Sequence, residues 1–241
     1  MQALTIDVDW AQDAILADTL QLLIDYDVSA TIFATHKTPL LEGLSEKIEV
    51  GIHPNFNDLL MGKGGNFQKV IDDLMTHFPS AKGVRSHSLT QSSHILNYFV
   101  SIGLTYDSNL FLPYQNVAPF FHFNGFVRIP YHWEDDYHYG IGRTFDTVGL
   151  NLDDHHSWNI LNFHPIHVFL NTENQDRYIL SKPFHQKISK LSEYCNHSHV
   201  PGTRDCLKMW LEYVMANHLE TRTLKEIARQ LKNNAAGDTP R

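Results

Sequence analysis

The first ten residues, MQALTIDVDW (residues 1–10), combine an apolar segment with two carboxylates. The run from Leu4 to Val8 has the composition of a buried β-strand. Side chains of a strand alternate between its two faces, so Asp7 and Asp9 would point the same way, about 7 Å apart. Burying two like charges without a partner is costly. The pair therefore predicts a cation, a shared proton or an open polar cleft beside it.

Apolar runs and amphipathic stretches alternate after this segment. Alternating or continuously apolar patterns predict strands, and apolar residues spaced by three and four predict helices. Strands are predicted at residues 28–34, 47–53, 83–86, 125–130 and 158–163, and helices at residues 11–25, 67–78 and 92–102. Alternating strands and helices indicate an α/β fold whose parallel sheet is either open or closed into a barrel.

Length and composition favour a single domain over residues 1–241. The chain has 241 residues, 42% of them hydrophobic, so it can bury one substantial core. We expect a core over residues 1–180 and a helical C-terminal extension over residues 181–232. The polar composition of residues 233–241 predicts a disordered tail.

Charge and apolar runs exclude several classes of partner. The net charge is −8 and no run of Lys or Arg occurs, so we expect neither nucleic acid nor an anionic membrane surface as a partner. No stretch reaches 18 apolar residues and no signal-peptide pattern is visible, so we predict a cytoplasmic protein without a transmembrane segment. Two cysteines, Cys195 and Cys206, fit a reducing compartment.

Side chains that can act as acids, bases or metal ligands occupy the carboxyl ends of four predicted strands: Asp7 and Asp9, His53, Arg85 and His87, and His164. Ligands bind at this edge of parallel α/β sheets because the loops there surround a common point. Alone, an Asp before a helix is more often a cap, and a single His is more often a hydrogen-bonded residue. Together, the Asp and His side chains predict a facial metal site with room for water.

These motifs resemble, in this order, those of the polysaccharide deacetylase family, whose members share the NodB-homology domain. The resemblance rests on TIDVDW at residues 5–10, VGIHPN at 50–55, VRSH at 84–87, YDSN at 106–109 and LNFH at 161–164. It implies a distorted (β/α) barrel, here with a helical C-terminal extension. The sequence is most similar to the branch found among bacterial O-antigen and surface-sugar genes.

The resemblance implies roles for the residues of the metal site. Asp7 corresponds to the general base and Asp9 to a metal ligand, and His53 corresponds to the first His of the family's His-x-x-x-His motif. The second His of that motif falls on Asn57, and Asn is an uncommon zinc ligand. We hypothesise that His87, in the next motif, supplies the missing ligand.

The other motifs imply a clamp, an acid and contacts with substrate. Arg85 would keep the base ionised, and His164 would be the general acid that protonates the departing amine. Trp133 is predicted to stack on the sugar, and Asn55 is predicted to bind substrate. One acid among residues 134–136 is expected to orient His164, and the sequence does not decide which.

The implied activity is a metal-dependent hydrolysis that removes an N-acetyl or similar acyl group from an amino sugar. The resemblance places this reaction in the biosynthesis of O-antigen or another surface polysaccharide. The cofactor would be a divalent metal ion, with Zn favoured and Co, Ni or Fe sharing the same ligands. We expect the substrate to be a nucleotide-linked or lipid-linked N-acetylated sugar.

Two alternatives remain open. The loss of the second motif His to Asn57 permits an inactive homologue that binds sugar without cleaving it. The Asp-x-Asp pattern also occurs in haloacid-dehalogenase-type phosphatases, which use Mg²⁺. That motif has Thr or Val where this chain has Ala11, and Mg²⁺ prefers oxygen ligands to imidazoles.

Three further polar segments carry weaker signals. The run Asp-Asp-His-His at residues 153–156 has metal-binding residue types, but a solvated turn is favoured because the four are consecutive. Residues 62–65, Gly-Lys-Gly-Gly, lack the spacing of a phosphate loop and predict a flexible lid. His167 is expected to bond a loop carbonyl.

Overall fold

The computed structural model describes residues 1–145 and 158–237, whose strands form a nine-stranded sheet in the spatial order β6-β7-β5-β4-β3-β2-β1-β9-β8. All neighbouring strands in this sheet are parallel except β6 and β7. The strands are β1 Gln2–Asp7, β2 Ala30–Ala34, β3 Ile48–Ile52, β4 Gly83–Val84, β5 Tyr106–Asp107, β6 Phe120–Phe121, β7 Val127–Arg128, β8 Trp133–Glu134 and β9 Asn159–Phe163.

In the described part of the chain, helices lie in four of the eight connections between these strands and form the C-terminal part. They are α1 Asp13–Asp25, α2 Asn57–Leu60, α3 Phe67–His77, α4 Ser93–Ser101, α5 Asp135–Gly140, α6 Pro165–Leu170, α7 Gln175–Ser181, α8 Ile188–Leu191, α9 Thr203–Ala216 and α10 Leu224–Gly237. Short 3₁₀ turns occur at Pro39–Leu41, His87–Leu89, Lys182–Phe184 and Ser192–Tyr194. Within the described ranges, no helix combines the length and the apolar character that a bilayer crossing requires.

Strand β1 lies inside the sheet, between β2 and β9, and every one of its six residues is buried. Leu4 is in register with Ala30 of β2 on one side and with Leu161 of β9 on the other. A strand covered on both faces needs no polar alternation, which is why this segment is apolar until Asp7. The expected distorted (β/α) barrel with a helical extension is confirmed, with β6 and β8 as the two outer strands of the sheet.

Helix α10 of the C-terminal extension packs on the amino-terminal end of the sheet. The first amides of α10 donate to strand side chains: the Leu224 N–H to Thr31 Oγ1 and the Lys225 N–H to Glu49 Oε2, both at 2.8 Å. Buried Glu49 also accepts a hydrogen bond from the Tyr106 hydroxyl at 2.8 Å. Helix α9 contributes buried Trp210 to the core. The predicted site residues lie at the opposite, carboxyl edge of the sheet.

Several predicted boundaries differ from those observed. Strand β4 has two residues where four were expected, and the two-residue strand β8 was predicted as loop. Helix α10 continues to Gly237, so the predicted start of a tail at residue 233 is too early. Residues 238–241 and the run at residues 153–156 lie outside the described residues.

Gly83 provides a test of packing across the sheet. A Cβ on this residue would lie 2.0 Å from Cζ of the buried Tyr106 ring, which has no room to move. We expect Gly83→Ala to destabilise the protein by about 2 kcal/mol and to lower Tm by several degrees in calorimetry. Gly140→Ala is the control, because nothing lies within 4 Å of its Cβ. Equal Tm values for the two variants would contradict the packing.

Candidate active site

Three predicted ligands converge at the carboxyl edge of the sheet. Asp9 Oδ1 lies 3.1 Å from Nε2 of His53 and 3.1 Å from Nδ1 of His87. One ligand atom from each of the three residues lies within 4.8 Å of the others. His53 follows β3 directly, and His87 follows β4 after Arg85 and Ser86, so neighbouring parallel strands deliver both imidazoles to one point.

Asp9 reaches this point through a turn and not through a continued strand. Strand β1 ends at Asp7, and both Asp9 (φ +44°) and Trp10 (φ +58°) have left-handed backbone conformations. The Trp10 N–H donates to Thr35 Oγ1 at 3.1 Å, which holds the turn against the end of β2. The expectation that Asp7 and Asp9 lie on the same face of one continuous strand was therefore wrong. His53 nevertheless links them, because its Nδ1 lies 3.9 Å from Asp7 Oδ1.

The Asp7 carboxylate is buried and accepts two hydrogen bonds. Arg85 Nη1 donates to Oδ1 at 3.1 Å, and Asn162 Nδ2 donates to Oδ2 at 3.0 Å. These donors satisfy half of the carboxylate's acceptor positions and leave others for a water molecule. The expected clamp is thus present, and Asn162, which the sequence analysis did not single out, is its second member.

Arg85 is itself fixed from every side. Its guanidinium lies over the ring of Tyr131 at 4.1 Å and that of Phe33 at 4.7 Å. Nε donates to the Ser108 carbonyl at 3.0 Å, and Nη2 donates to the Ser108 hydroxyl at 2.8 Å. The side chain has 0% exposure, so its charge cannot turn away from Asp7.

Asp135 is the acid that orients His164. The imidazole Nδ1 bonds Asp135 Oδ1 at 2.6 Å, and the His164 backbone N–H donates to Oδ2 at 2.8 Å. Burial lowers the pKa of His164, but the charge and hydrogen bond of Asp135, together with the charges of Asp136 and Asp9, outweigh burial and raise the pKa well above its ordinary value. The other ring nitrogen, Nε2, lies 3.7 Å from Asp9 Oδ2.

Glu134, another of the three acids considered for His164, lies in the site but bonds other residues. It accepts hydrogen bonds from the Tyr131 hydroxyl at 3.0 Å and from Asn162 Nδ2 at 3.3 Å. Burial, reinforced by the nearby Asp136 and Asp7 charges, raises the pKa of Glu134 to about 8. Its Oε1 lies 3.8 Å from His164 Nε2.

Two other groups of residues have metal-ligand types, but most of their ligand atoms already have protein partners. His167 bonds the Thr172 hydroxyl through Nδ1 and the Tyr139 hydroxyl through Nε2, both at 3.2 Å. In the remaining group, Asp7 and Glu134 accept the bonds described above. By contrast, His53 Nδ1 is buried without a hydrogen-bond partner in the described chain. The group of Asp9, His53 and His87, called here the metal triad, is the best candidate for an ion.

Comparison with known proteins identifies the family of this chain. The model of the family described as WbmS-like polysaccharide deacetylase matches residues 4–182. The chain belongs to this family. A crystal structure from Bordetella bronchiseptica, described as a polysaccharide deacetylase involved in O-antigen biosynthesis, is 40% identical, with a TM-score of 0.80 over 87% of this chain and 88% of that one.

A second solved structure is less similar to this chain. It is described as a polysaccharide deacetylase from Mycobacterium smegmatis, with 20% identity and a TM-score of 0.47 over 92% of each chain. No curated protein matches the sequence. Membership of the polysaccharide deacetylase family places the chain among hydrolases.

The structure contradicts the stacking role predicted for Trp133. Its side chain is 1% exposed and packs against Phe163, with ring centroids 4.8 Å apart. A sugar cannot reach this ring, because Trp133 belongs to the core of the deacetylase fold. The exposed aromatic residue beside the metal triad is Trp10, whose ring meets His87 edge-on at 5.0 Å. The sequence could have indicated this, because Trp10 directly follows Asp9.

Other predicted residues occupy varied positions. Asn55 accepts a hydrogen bond from the Asn57 N–H at 2.9 Å, and its contact with substrate stays a prediction. His167 bonds side-chain hydroxyls where a loop carbonyl was expected. Within residues 62–65, Lys63 pairs with Asp58 at 3.0 Å, and the lid also stays a prediction.

The Asp135 carboxylate controls the protonation of His164. Removing its charge in Asp135→Asn lowers the His164 pKa, so the protonated imidazole is lost at lower pH than in the parent enzyme. We expect turnover to fall by about 10²-fold or more, with the alkaline limb of the rate profile shifted towards neutral pH. The measurement is kcat against pH together with an NMR titration of the imidazole. An unchanged alkaline limb would show that Asp135 does not act on the acid.

Proposed function

We propose that the protein is a metal-dependent deacetylase that hydrolyses the N-acetyl, or a similar N-acyl, group of an amino sugar during the assembly of O-antigen or another surface polysaccharide. Family membership and the description of the Bordetella bronchiseptica relative support the class of reaction. The observation that carries the proposal is the arrangement around the metal triad, where a clamped carboxylate and an oriented imidazole lie beside the same three ligands.

The metal triad fits a divalent transition-metal ion. Its donors are one carboxylate and two imidazoles, a set found in catalytic zinc sites and shared by Co, Ni and Fe. Burial raises the pKa of the Asp9 carboxyl, but hydrogen bonds with His53 and His87 outweigh burial and keep the pKa below its ordinary range. Asp9 is thus ionised, as a ligand must be. A cation bound there would acidify water and polarise the acyl carbonyl.

Asp7 is placed to act as the base. Its carboxylate lies next to His53 but is held by Arg85 and Asn162, so it belongs beside the metal triad and not within it. A free acceptor position of Asp7 would take the proton of the water that attacks the acyl carbon. The buried positive charge of Arg85 favours the ionised carboxylate that this step needs.

His164 is placed to act as the acid. The Asp135 bond at Nδ1 leaves Nε2–H as the proton to be given, and it faces Asp9. The nitrogen of the collapsing tetrahedral intermediate would take this proton as the C–N bond breaks. The products are a carboxylate, acetate for an N-acetyl substrate, and a free amino sugar.

We place the reaction in the cytoplasm, on a nucleotide-linked or lipid-linked N-acetylated sugar. The thiols of Cys195 and Cys206 are both free, which fits a reducing compartment. An inactive, sugar-binding homologue would have no need of a base, its clamp and an oriented acid. A Mg²⁺-dependent phosphatase would not require the two imidazoles of the metal triad.

The two carboxylates of TIDVDW should behave differently when neutralised. Asp9→Asn removes a ligand, so both bound metal and turnover are expected to fall. Asp7→Asn removes only the base, so metal should stay near one equivalent while turnover drops by about 10²-fold or more. Metal content by mass spectrometry and acetate release from N-acetylated sugars measure the two effects. Equal metal loss in both variants would contradict the division of roles.

His87 and Asn57 are the two candidates for the third metal ligand. His87 Nδ1 lies 3.1 Å from Asp9, whereas the Asn57 side chain makes no hydrogen bond with the described residues. We expect His87→Ala to weaken metal binding by at least about tenfold in a competitive chelator titration, and Asn57→Ala to leave it within about twofold. Full retention of metal in His87→Ala would assign the ligand to another residue.

A further inference from the structure

Two cavities, each of about 280 Å³, meet at the metal triad. The first contains Asp7 and His53, and we call it the base-side cavity. The second, called here the Trp10 cavity, shares Asp9, His87, Asp136 and His164 with the first but contains neither Asp7 nor His53. A water activated by Asp7 must approach from the base-side cavity. The Trp10 cavity is therefore free for the part of the substrate that leaves.

Trp10 forms one wall of the Trp10 cavity. The residue is 41% exposed and its ring lies beside His87, so the free surface of Trp10 borders the metal triad. A left-handed backbone at two consecutive residues that are not glycine costs free energy, of order 1–3 kcal/mol for each residue. The bond from Trp10 N–H to Thr35 holds this conformation. Strain of this kind concentrates at sites where a side chain must be aimed at a ligand.

The wall that faces Trp10 comes from α7 and the segment after it. Tyr178 packs its ring against His167, with centroids 4.9 Å apart, and its hydroxyl has no hydrogen-bond partner among the residues that the structure describes. Gln12 Nε2 donates to the His185 carbonyl at 2.8 Å and so ties this segment to α1. Gln186 follows directly and lines the cavity with a side chain that is likewise unbonded within the described chain.

The polar groups of the Trp10 cavity have the chemistry of sugar recognition. The Tyr178 hydroxyl, the Gln186 amide and the Asp136 carboxylate are hydrogen-bonding groups without side-chain partners in the described residues, and each can bind a hydroxyl. The exposed Trp10 ring offers a flat apolar face. No Lys or Arg occurs among the described residues that line the cavity, which fits a neutral sugar ring better than a phosphate or a sugar carboxylate.

We propose that the Trp10 cavity binds the pyranose ring of the N-acylated amino sugar, with the ring stacked on Trp10 and its hydroxyls bonded to Tyr178, Gln186 and Asp136. The orientation rests on the proposed function: His164 Nε2 borders this cavity and protonates the nitrogen that this ring carries. The proposal also gives the start of the C-terminal extension a role, because His185 and Gln186 complete the wall.

Binding of free sugars tests the subsite without requiring turnover. The probes are N-acetylglucosamine and N-acetylgalactosamine, titrated against the full-length, metal-loaded protein by saturation-transfer NMR. We expect Trp10→Ala to weaken binding of the better probe by about tenfold and Trp10→Phe to restore most of it, because a ring face is retained. Tyr178→Phe, which removes one hydroxyl, should weaken binding several-fold. Phe123→Ala is the matched control, since Phe123 is an exposed aromatic outside both cavities.

Failure of the subsite and failure of the proposed function give different results. If Trp10→Ala binds the probes as the parent protein does, or if the parent binds neither probe at millimolar concentration, the subsite is overturned even when acetate is released from a substrate. If binding depends on Trp10 and Tyr178 but no acetate is released from any N-acetylated sugar, the subsite stands and the proposed function fails. Equal losses of Tm and metal in the variants would assign the effect to folding, which also overturns the proposal.

Discussion

The site depends on one buried guanidinium. Arg85 donates from the same Nη1 to Thr5, Asp7 and Asn162, so it joins β1 and β9 to the end of β4 in a buried layer. Burying a charge is costly unless it is paired, and leaving either partner alone would cost about 3–5 kcal/mol. The clamp is therefore a structural requirement of the fold. It holds the Asp7 carboxylate beside the metal triad.

Because Arg85 binds only one of them, the carboxylates of Asp7 and Asp9 have different partners. Asp7 ends the strand and is fixed by Arg85 and Asn162. Asp9 lies two residues later in a left-handed turn and meets two imidazoles instead. A similar separation exists on the acid side, where Asp135 orients His164 while Glu134 bonds Tyr131. Identical residue types thus take different roles because each has a different neighbour.

Much of this arrangement follows from the sequence, because strands and their ends are local patterns. The apolar runs before His53 and His164 are long enough to predict the strands, and parallel topology then brings their ends together. The stacking role predicted for Trp133 was wrong. Strand β8 has only two residues, so its sequence gives no periodic pattern that would indicate burial. Asp135 could not be chosen from three consecutive acids, since only the backbone direction after β8 selects it. Trp10 was missed because its exposure depends on a turn that strand alternation does not predict.

The position of the metal ion is the central claim of this account, and an anomalous difference map at the zinc edge, from crystals of the zinc-loaded protein, tests it most directly. Three groups of residues in the described chain have suitable ligand atoms, and they share one edge of the sheet. We expect a single strong anomalous difference peak about 2.0–2.2 Å from ligand atoms of Asp9, His53 and His87. A peak coordinated by Asp7 and Glu134, or by Asp135 and His167, would contradict the proposed division between ligand, base and acid.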